Sequence, residues 1–235
     1  MHAENASTIV HSAFVTLALV VGLIIMRRLR YPAKQHGLET YRLLPALIAG
    51  ALIGAKLPVF ISYGWHMEFL LAGKSYLGAV LGAFVAINLY KRLKGVSGSF
   101  GDRYVIPLSV SAGIGKVGCF FYGCCSGTAS DWIIAVTNRW GEQVHPVQLY
   151  EALFQWSCAG LFYWLYKNNK LVDCHFQLYF LLYLVFRLLI EFIRIEPRVA
   201  LGLTVYQLMS LIFVPIFGVM LYGRLKSSAT VQSVA

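Results

Sequence analysis

The stretch TIVHSAFVTLALVVGLIIM, residues Thr8–Met26, is followed at once by Arg27, Arg28 and Arg30. It holds no charged residue, and about 20 mainly apolar residues suffice for a helix to cross about 30 Å of hydrocarbon. Basic residues after the apolar run reverse the order found in a cleavable signal peptide. We therefore predict a membrane-anchoring first helix with its N-terminus outside the cell.

The rest of the chain has the same character, since 58% of its 235 residues are hydrophobic and only 13% are charged. A typical soluble domain has about 45–50% apolar and about 25% charged residues, so a water-soluble globular protein is excluded. Seven segments match the length of a membrane span: 8–26, 43–63, 75–91, 104–124, 148–166, 176–194 and 203–223. We predict an all-α integral membrane protein whose residues 1–235 form a single polytopic domain.

The formal net charge of +10 has three possible explanations: nucleic acid, an acidic partner or a membrane surface. Thirteen Lys and Arg residues fall in one set of alternate loops, while the other set holds only Lys74, Arg139 and Arg198. Cytoplasmic loops of membrane proteins carry such an excess of positive charge. The pattern predicts an external N-terminus and a cytoplasmic C-terminus, and it calls for no nucleic-acid partner.

A few charged residues fall at bilayer depth, where ionisable groups are costly and are usually paired or functional. These are Lys56, Lys116, Arg187, Glu191 and Arg194, with Glu151 near a membrane end. Arg187, Glu191 and Arg194 are spaced to share one helical face, and they leave a surplus positive charge. Guanidinium groups suit a phosphodiester, so we predict a phospholipid headgroup site; alternatively, Glu191 merely neutralises Arg187 between two helices.

Two further segments carry polar residues at the predicted membrane ends. Lys116 lies between Gly115 and Gly118, and small neighbours allow a ligand to approach the backbone. In HPVQLYE, residues His145–Glu151, the side chains of Gln148 and Glu151 are spaced to point inward together. Three roles are open for His145: a general base, a hydrogen-bond donor to a phosphate, or a solvated residue that caps the following helix.

The cysteines Cys119, Cys124 and Cys125 form a cluster in sequence. Their spacing does not match the paired pattern of structural zinc sites, so we expect no metal and no cofactor. A disulfide, small packing residues at the end of a helix, and a nucleophile close to Lys116 all remain open.

Two segments resemble motifs of the bacterial prolipoprotein diacylglyceryl transferase family. The HPVQLYE segment is similar to the family's His-Pro-Ser-Gln-Leu-Tyr-Glu box, and FRLLIEFIR, residues 186–194, is similar to its Phe-Arg-Phe-x-x-Glu-x-x-Arg span. The order of the segments 54–57, 74–78 and 206–210 agrees as well. Family members have seven spans, an external N-terminus and a cytoplasmic C-terminus, which agrees with the charge count.

The resemblance implies that the diacylglyceryl group of phosphatidylglycerol is transferred to the lipobox cysteine of a prolipoprotein signal peptide, at the bacterial plasma membrane. It implies catalytic roles for Arg187, Glu191 and His145. The residues expected to bind substrate are Lys116, Arg194, Gln148, Tyr150, Glu151, Gly118 and Gly123.

The chain departs from the family pattern at several positions. Within Gly115–Thr128, Lys116 and Thr128 replace arginines, while Cys119 and Cys124 replace an asparagine and a glutamate of the family signature. Leu77-Gly78-Ala79 stands where the family has His-Gly-Gly. Three alternatives follow: transfer to another thiol acceptor, thiol, redox or metal chemistry at Cys119, Cys124 and Cys125, or a non-catalytic protein that handles anions.

Overall fold

A computed structural model describes residues 2–29, 37–64, 66–68, 73–95 and 101–232. Within these ranges the α-helices are α1 (His2–Arg28), α2 (Gly37–Tyr63), α3 (Tyr76–Lys94), α4 (Asp102–Tyr122), α5 (Val147–Lys167), α6 (His175–Ile190) and α7 (Val205–Gln232). The strands β1 (Val136–Thr137) and β2 (Gln143–Val144) form one antiparallel pair, and β3 (Arg198–Ala200) and β4 (Leu203–Thr204) form another. Arg30, which contributed to the predicted topology, lies outside the described residues.

Five helical segments in the described ranges are long and apolar enough to cross a membrane. They are Ser7–Arg28, Leu43–Tyr63, Asp102–Tyr122, His175–Ile193 and Val205–Lys226. Helices α3 and α5 occupy the third and fifth predicted spans, but they are more polar: α3 ends in a basic turn, and α5 carries Gln148, Glu151 and Gln155. The helical membrane-protein class is thus confirmed, while the count of seven spans stays a prediction.

Tertiary contacts divide the described chain into two compact units. The first unit draws its residues from Met1–Tyr31, Phe100–Ile195 and Ile212–Ala235, and the second from Pro32–Ser99 and Glu196–Leu211. In the first unit α4 packs against both α1 and α5. Gly113 allows the α5 contact, because a Cβ atom there would lie 2.6 Å from Cδ1 of Trp156.

Aromatic side chains fill the core of the first unit. Phe162, Tyr179, Phe180 and Phe217 are fully buried, and the rings of Phe180 and Phe217 lie 4.9 Å apart between centroids. Aromatic pairs at such distances stabilise a fold beyond the burial of their area. This core fixes α6 against α5 and the C-terminal part of α7.

The second unit is built on close packing of α2 against α3. Gly50 and Gly54 of α2 face Gly78 and Gly82 of α3, and a Cβ atom on Gly82 would lie 2.8 Å from the Cα of Gly54. Small residues at such spacing let two membrane helices bring their backbones together. Lys56, one of the residues predicted at bilayer depth, donates from Nζ to the Gly73 carbonyl at 2.8 Å.

We expect Gly82→Ala to destabilise the protein by about 1–3 kcal/mol, because overpacking a tight contact costs that much and the added methyl group meets backbone. Gly160→Ala is the matched control, since Gly160 lies within α5 with nothing inside 4 Å of the new Cβ. Thermal unfolding of both variants in detergent is the measurement. Equal midpoints for the two variants would contradict the packing argument.

The sixth predicted span, 176–194, is not one continuous α-helix. Helix α6 ends at Ile190, a 3₁₀ turn covers Glu191–Ile193, and Arg194 has extended backbone with φ −92° and ψ 151°. The prediction that Arg194 shares a helical face with Arg187 is therefore wrong. At the end of the 3₁₀ turn, Thr128 N–H donates to the Ile193 carbonyl at 2.9 Å, and the extended Arg194 pairs with Gly127.

Candidate functional site

Five charged side chains of the first unit meet at one place, which we call the ionic cluster: Lys116, Glu151, Arg187, Glu191 and Arg194. They come from α4, α5, α6, the 3₁₀ turn and the extended residue after it. The sequence spacing predicted contact only among the last three.

Glu151 is the centre of the ionic cluster, with only 1% of its surface exposed. Its Oε1 accepts from Nη1 of Arg187 at 2.8 Å and from Nη1 of Arg194 at 2.9 Å. Its Oε2 forms an ion pair with Nζ of Lys116. One carboxylate on α5 therefore holds cations from three other segments of the chain.

Glu191 is the second carboxylate of the ionic cluster. Its Oε2 lies 2.9 Å from Nη2 of Arg187, four residues earlier, and 3.7 Å from Nε of Arg194. The predicted pairing of Glu191 with Arg187 is confirmed, although each arginine also contacts Glu151 at 2.8–2.9 Å.

The charges within the ionic cluster do not cancel, because three cations face two carboxylates. Arg187 and Glu191 are buried, and Arg194 keeps only 8% of its side chain exposed. Each cation has a carboxylate partner, and the five side chains together carry a formal charge of +1. An anion bound at the ionic cluster would offset the remaining positive charge.

A short backbone ladder connects the ionic cluster to the segment HPVQLYE (His145–Glu151), which we call the histidine segment. Gly127 N–H donates to the His145 carbonyl at 2.9 Å, His145 N–H to the Thr128 carbonyl at 3.1 Å, and Thr128 N–H to the Ile193 carbonyl at 2.9 Å. A Cβ atom on Gly127 would lie 2.6 Å from the Ile193 oxygen. The absent side chain thus lets three chain segments pack side by side, with Arg194 paired to Gly127.

Besides Glu151, three polar residues of the histidine segment were predicted to belong to the site. His145 Nδ1 lies 3.3 Å from the Tyr150 hydroxyl, and its ring packs edge-on against Trp132. Gln148 is buried; its Nε2 donates to the Cys124 carbonyl, and its Oε1 has no hydrogen-bond partner among the described atoms. The backbone ladder connects His145 to the ionic cluster, and Gln148 and Tyr150 lie on α5 with Glu151.

Two glycines predicted to contact substrate have clear backbone roles. Gly118 faces α1, where its missing side chain makes room for Phe14, and a Cβ atom there would lie 2.6 Å from the Phe14 Cβ. Gly123 ends α4 in the left-handed conformation with φ 76°. Gly118 therefore permits the contact of α4 with α1, and Gly123 begins the loop that follows α4.

The cysteines Cys119, Cys124 and Cys125, which we call the thiol cluster, converge at this loop. Their three sulfur atoms lie within 4.8 Å of one another, and those of Cys124 and Cys125 are 3.4 Å apart. All three are free thiols, as are the buried Cys158 and Cys174.

His11 was not among the predicted site residues, although its Nε2 lies 4.0 Å from the Cys119 sulfur. Nothing in the sequence pattern links a lone histidine on α1 to a cysteine on α4. Lys116 was singled out, but its partner Glu151 lies on another helix and follows from no local spacing.

The fold and the site define a class: a helical membrane protein with a buried ionic cluster of net positive charge. The family model described as "Prolipoprotein diacylglyceryl transferase" matches residues 4–223. The chain belongs to the prolipoprotein diacylglyceryl transferase family.

Three similar bacterial proteins carry the name phosphatidylglycerol–prolipoprotein diacylglyceryl transferase. The Clostridium tetani protein is 25% identical over 202 residues, which cover 80% of this chain and 81% of the relative. The Campylobacter hominis protein is 29% identical over 244 residues, covering 92% and 85%. The Clostridium perfringens protein, whose name ends in "transferase 2", is 29% identical over 153 residues, which cover 62% of this chain and 60% of the relative.

Proposed function

We propose that this chain transfers the diacylglyceryl group of phosphatidylglycerol to a cysteine thiol in the signal peptide of a prolipoprotein. Family membership supports the reaction class. The single observation that carries the proposal for this chain is the ionic cluster, in which three cations and two carboxylates leave one positive charge. A phosphodiester headgroup brings the one negative charge that balances it.

The reaction requires an increase of negative charge on the phosphate. The acceptor thiol loses its proton, its sulfur forms a bond to the glyceryl carbon, and the bond from that carbon to the phosphate oxygen breaks. Glycerol phosphate leaves with the bonding electrons, so the phosphate gains one negative charge. Positive groups placed in advance where charge develops lower such a barrier.

Within this mechanism Arg187 and Arg194 bind the phosphate and stabilise the leaving group, while Glu191 and Glu151 position the two guanidinium groups. Lys116 adds charge from α4. His145 takes the proton of the acceptor thiol, with Tyr150 on its Nδ1 to orient the ring. Gln148 of α5, Gly118 of α4 and Gly123 at the end of α4 contribute to substrate binding.

We also propose seven membrane spans, an external N-terminus and a cytoplasmic C-terminus in the bacterial inner membrane. The unequal distribution of Lys and Arg between alternate loops supports this topology. In it, the C-terminal end of α4, the start of α5 and the end of α6 all lie toward the outer side. The ionic cluster would then face the side on which signal peptides of exported proteins arrive.

Depletion of the housekeeping transferase in a bacterial host tests the activity directly. We expect this chain to restore the lipid modification of a reporter lipoprotein, seen as a mass increase of one diacylglyceryl group. A reporter whose lipobox cysteine is replaced by serine is the control and gains no mass. Inserted, folded protein that leaves the reporter unmodified would contradict the prolipoprotein acceptor.

A further inference from the structure

The thiol cluster has the dimensions of a metal site. Tetrahedral zinc with Zn–S bonds of about 2.3 Å places its sulfur ligands about 3.8 Å apart. The three sulfurs of Cys119, Cys124 and Cys125 lie within 4.8 Å of one another, with a closest described pair at 3.4 Å. Small side-chain rotations suffice to bring all three onto one ion.

The backbone after α4 is shaped to bring these sulfurs together. Gly123 turns the chain in the left-handed region, and Cys125 also has a positive φ of 63°. A non-glycine residue in this region is uncommon and costs free energy, so it persists where the surroundings hold it there. Two left-handed residues within three positions fold Cys124 and Cys125 back toward the helix end that carries Cys119.

A fourth ligand is available from α1. The Nε2 atom of His11 lies 4.0 Å from the Cys119 sulfur, against about 3.6 Å between sulfur and nitrogen in a tetrahedral zinc site. His11 is not part of the group whose ligand atoms lie within 4.8 Å of one another, so its ring has to move towards Cys124 and Cys125 to share one ion with them. Gly118, directly before Cys119, makes this approach possible because a side chain there would collide with Phe14. Three thiolates and one imidazole form a common structural zinc site.

Lys116 and Arg194 place positive charge close to the thiol cluster. A zinc ion with three thiolates and a neutral imidazole carries one negative charge. This charge is attracted to the neighbouring cations Lys116 and Arg194.

We propose that Cys119, Cys124, Cys125 and His11 bind one zinc ion, which ties α1 to the end of α4. From the spacing of the cysteines alone we expected no metal. The turn at Gly123 and Cys125 and the contact of His11 with Cys119 bring the ligands together, and neither can be seen from spacing along the chain. The site borders the ionic cluster: Lys116 precedes Cys119 by one helical turn, and Gln148 donates to the Cys124 carbonyl. Zinc would hold the Cys124 carbonyl in place, and with it the Gln148 side chain beside the ionic cluster.

The full-length chain, purified in detergent under reducing conditions and supplied with Zn²⁺, tests the proposal. We expect about one zinc ion per chain by elemental analysis, and a thiolate-to-metal charge-transfer band when Co²⁺ replaces Zn²⁺. Cys124→Ser and the exposed Cys125→Ser should each lose the bound ion. Cys158→Ser is the matched control and should keep it, because Cys158 is buried in α5 outside the thiol cluster.

His11→Ala should bind zinc more weakly than the parent chain, and a melting temperature measured without zinc separates this loss from misfolding. Equal zinc affinity in His11→Ala would overturn the assignment of the fourth ligand. Absence of zinc from the folded parent chain would overturn the site itself. In a second preparation made without reductant, absence of zinc together with the loss of two titratable thiols would identify a disulfide and overturn the zinc site.

Discussion

Glu151→Gln is expected to lower the free energy of unfolding by about 3–5 kcal/mol, the usual cost of removing one partner from a buried ion pair. The substitution leaves three cations around a neutral amide, with Glu191 as the one carboxylate of the ionic cluster. Thermal unfolding in detergent measures the change. The volume of the side chain is preserved, so the effect reports charge rather than packing.

Glu142→Gln is the matched control for this experiment. Glu142 is exposed in the loop before β2 and accepts from Asn138 Nδ2 at 2.9 Å, and substitutions at such surface sites usually change stability by less than about 0.5 kcal/mol. If Glu151→Gln unfolded at the same temperature as Glu142→Gln, the three cations would not depend on Glu151, and the description of the ionic cluster would be wrong.

Arg187→Ala is expected to reduce diacylglyceryl transfer by about 100- to 1000-fold, the loss found when one preorganised donor to a developing anion is removed. Arg187 is buried and reaches both carboxylates through its two terminal nitrogens. The measurement is the rate of lipid transfer to a lipobox peptide by purified protein. Arg187→Lys should recover part of the rate, because it keeps the charge but loses the planar fork.

Arg198→Ala is the control, since Arg198 is an exposed arginine of β3 that bonds the Gly202 carbonyl. It removes the same charge from the chain without touching the ionic cluster. A folded Arg187→Ala variant that transfers lipid as fast as Arg198→Ala would remove Arg187 from the mechanism. It would leave the remaining positive charge to Arg194 and Lys116.

The sequence was sufficient to locate the helices but not their ends. Apolar runs between basic residues gave the positions of all seven helices in the described chain, because hydropathy over a span is a local property. The end of α6 was not predicted, since the extended chain after it pairs through the backbone with Gly127 and Thr128, which are far away in sequence. Periodicity alone continued the helix to Arg194.

The site, too, has contacts that follow from local sequence spacing and contacts that depend on how distant segments pack. Contact of Arg187 with Glu191 follows from helical spacing and was predicted. Contact of Lys116 and Arg194 with Glu151 depends on how α4, α5 and the chain after α6 pack, which no local pattern contains. The thiol cluster was visible as three cysteines, but the left-handed turn and His11 emerged only from the folded chain.

The ion pair of Lys116 with Glu151 joins two charges that appear early during biosynthesis. Lys116 is made first with α4, and Glu151 follows on the next long helix, so these two charges can neutralise each other before the later residues of the ionic cluster are made. Arg187, Glu191 and Arg194 are made later and together add one positive charge. A nascent chain can therefore insert α4 and α5 as a balanced pair, and its affinity for an anion arises only when the last of these segments has been added.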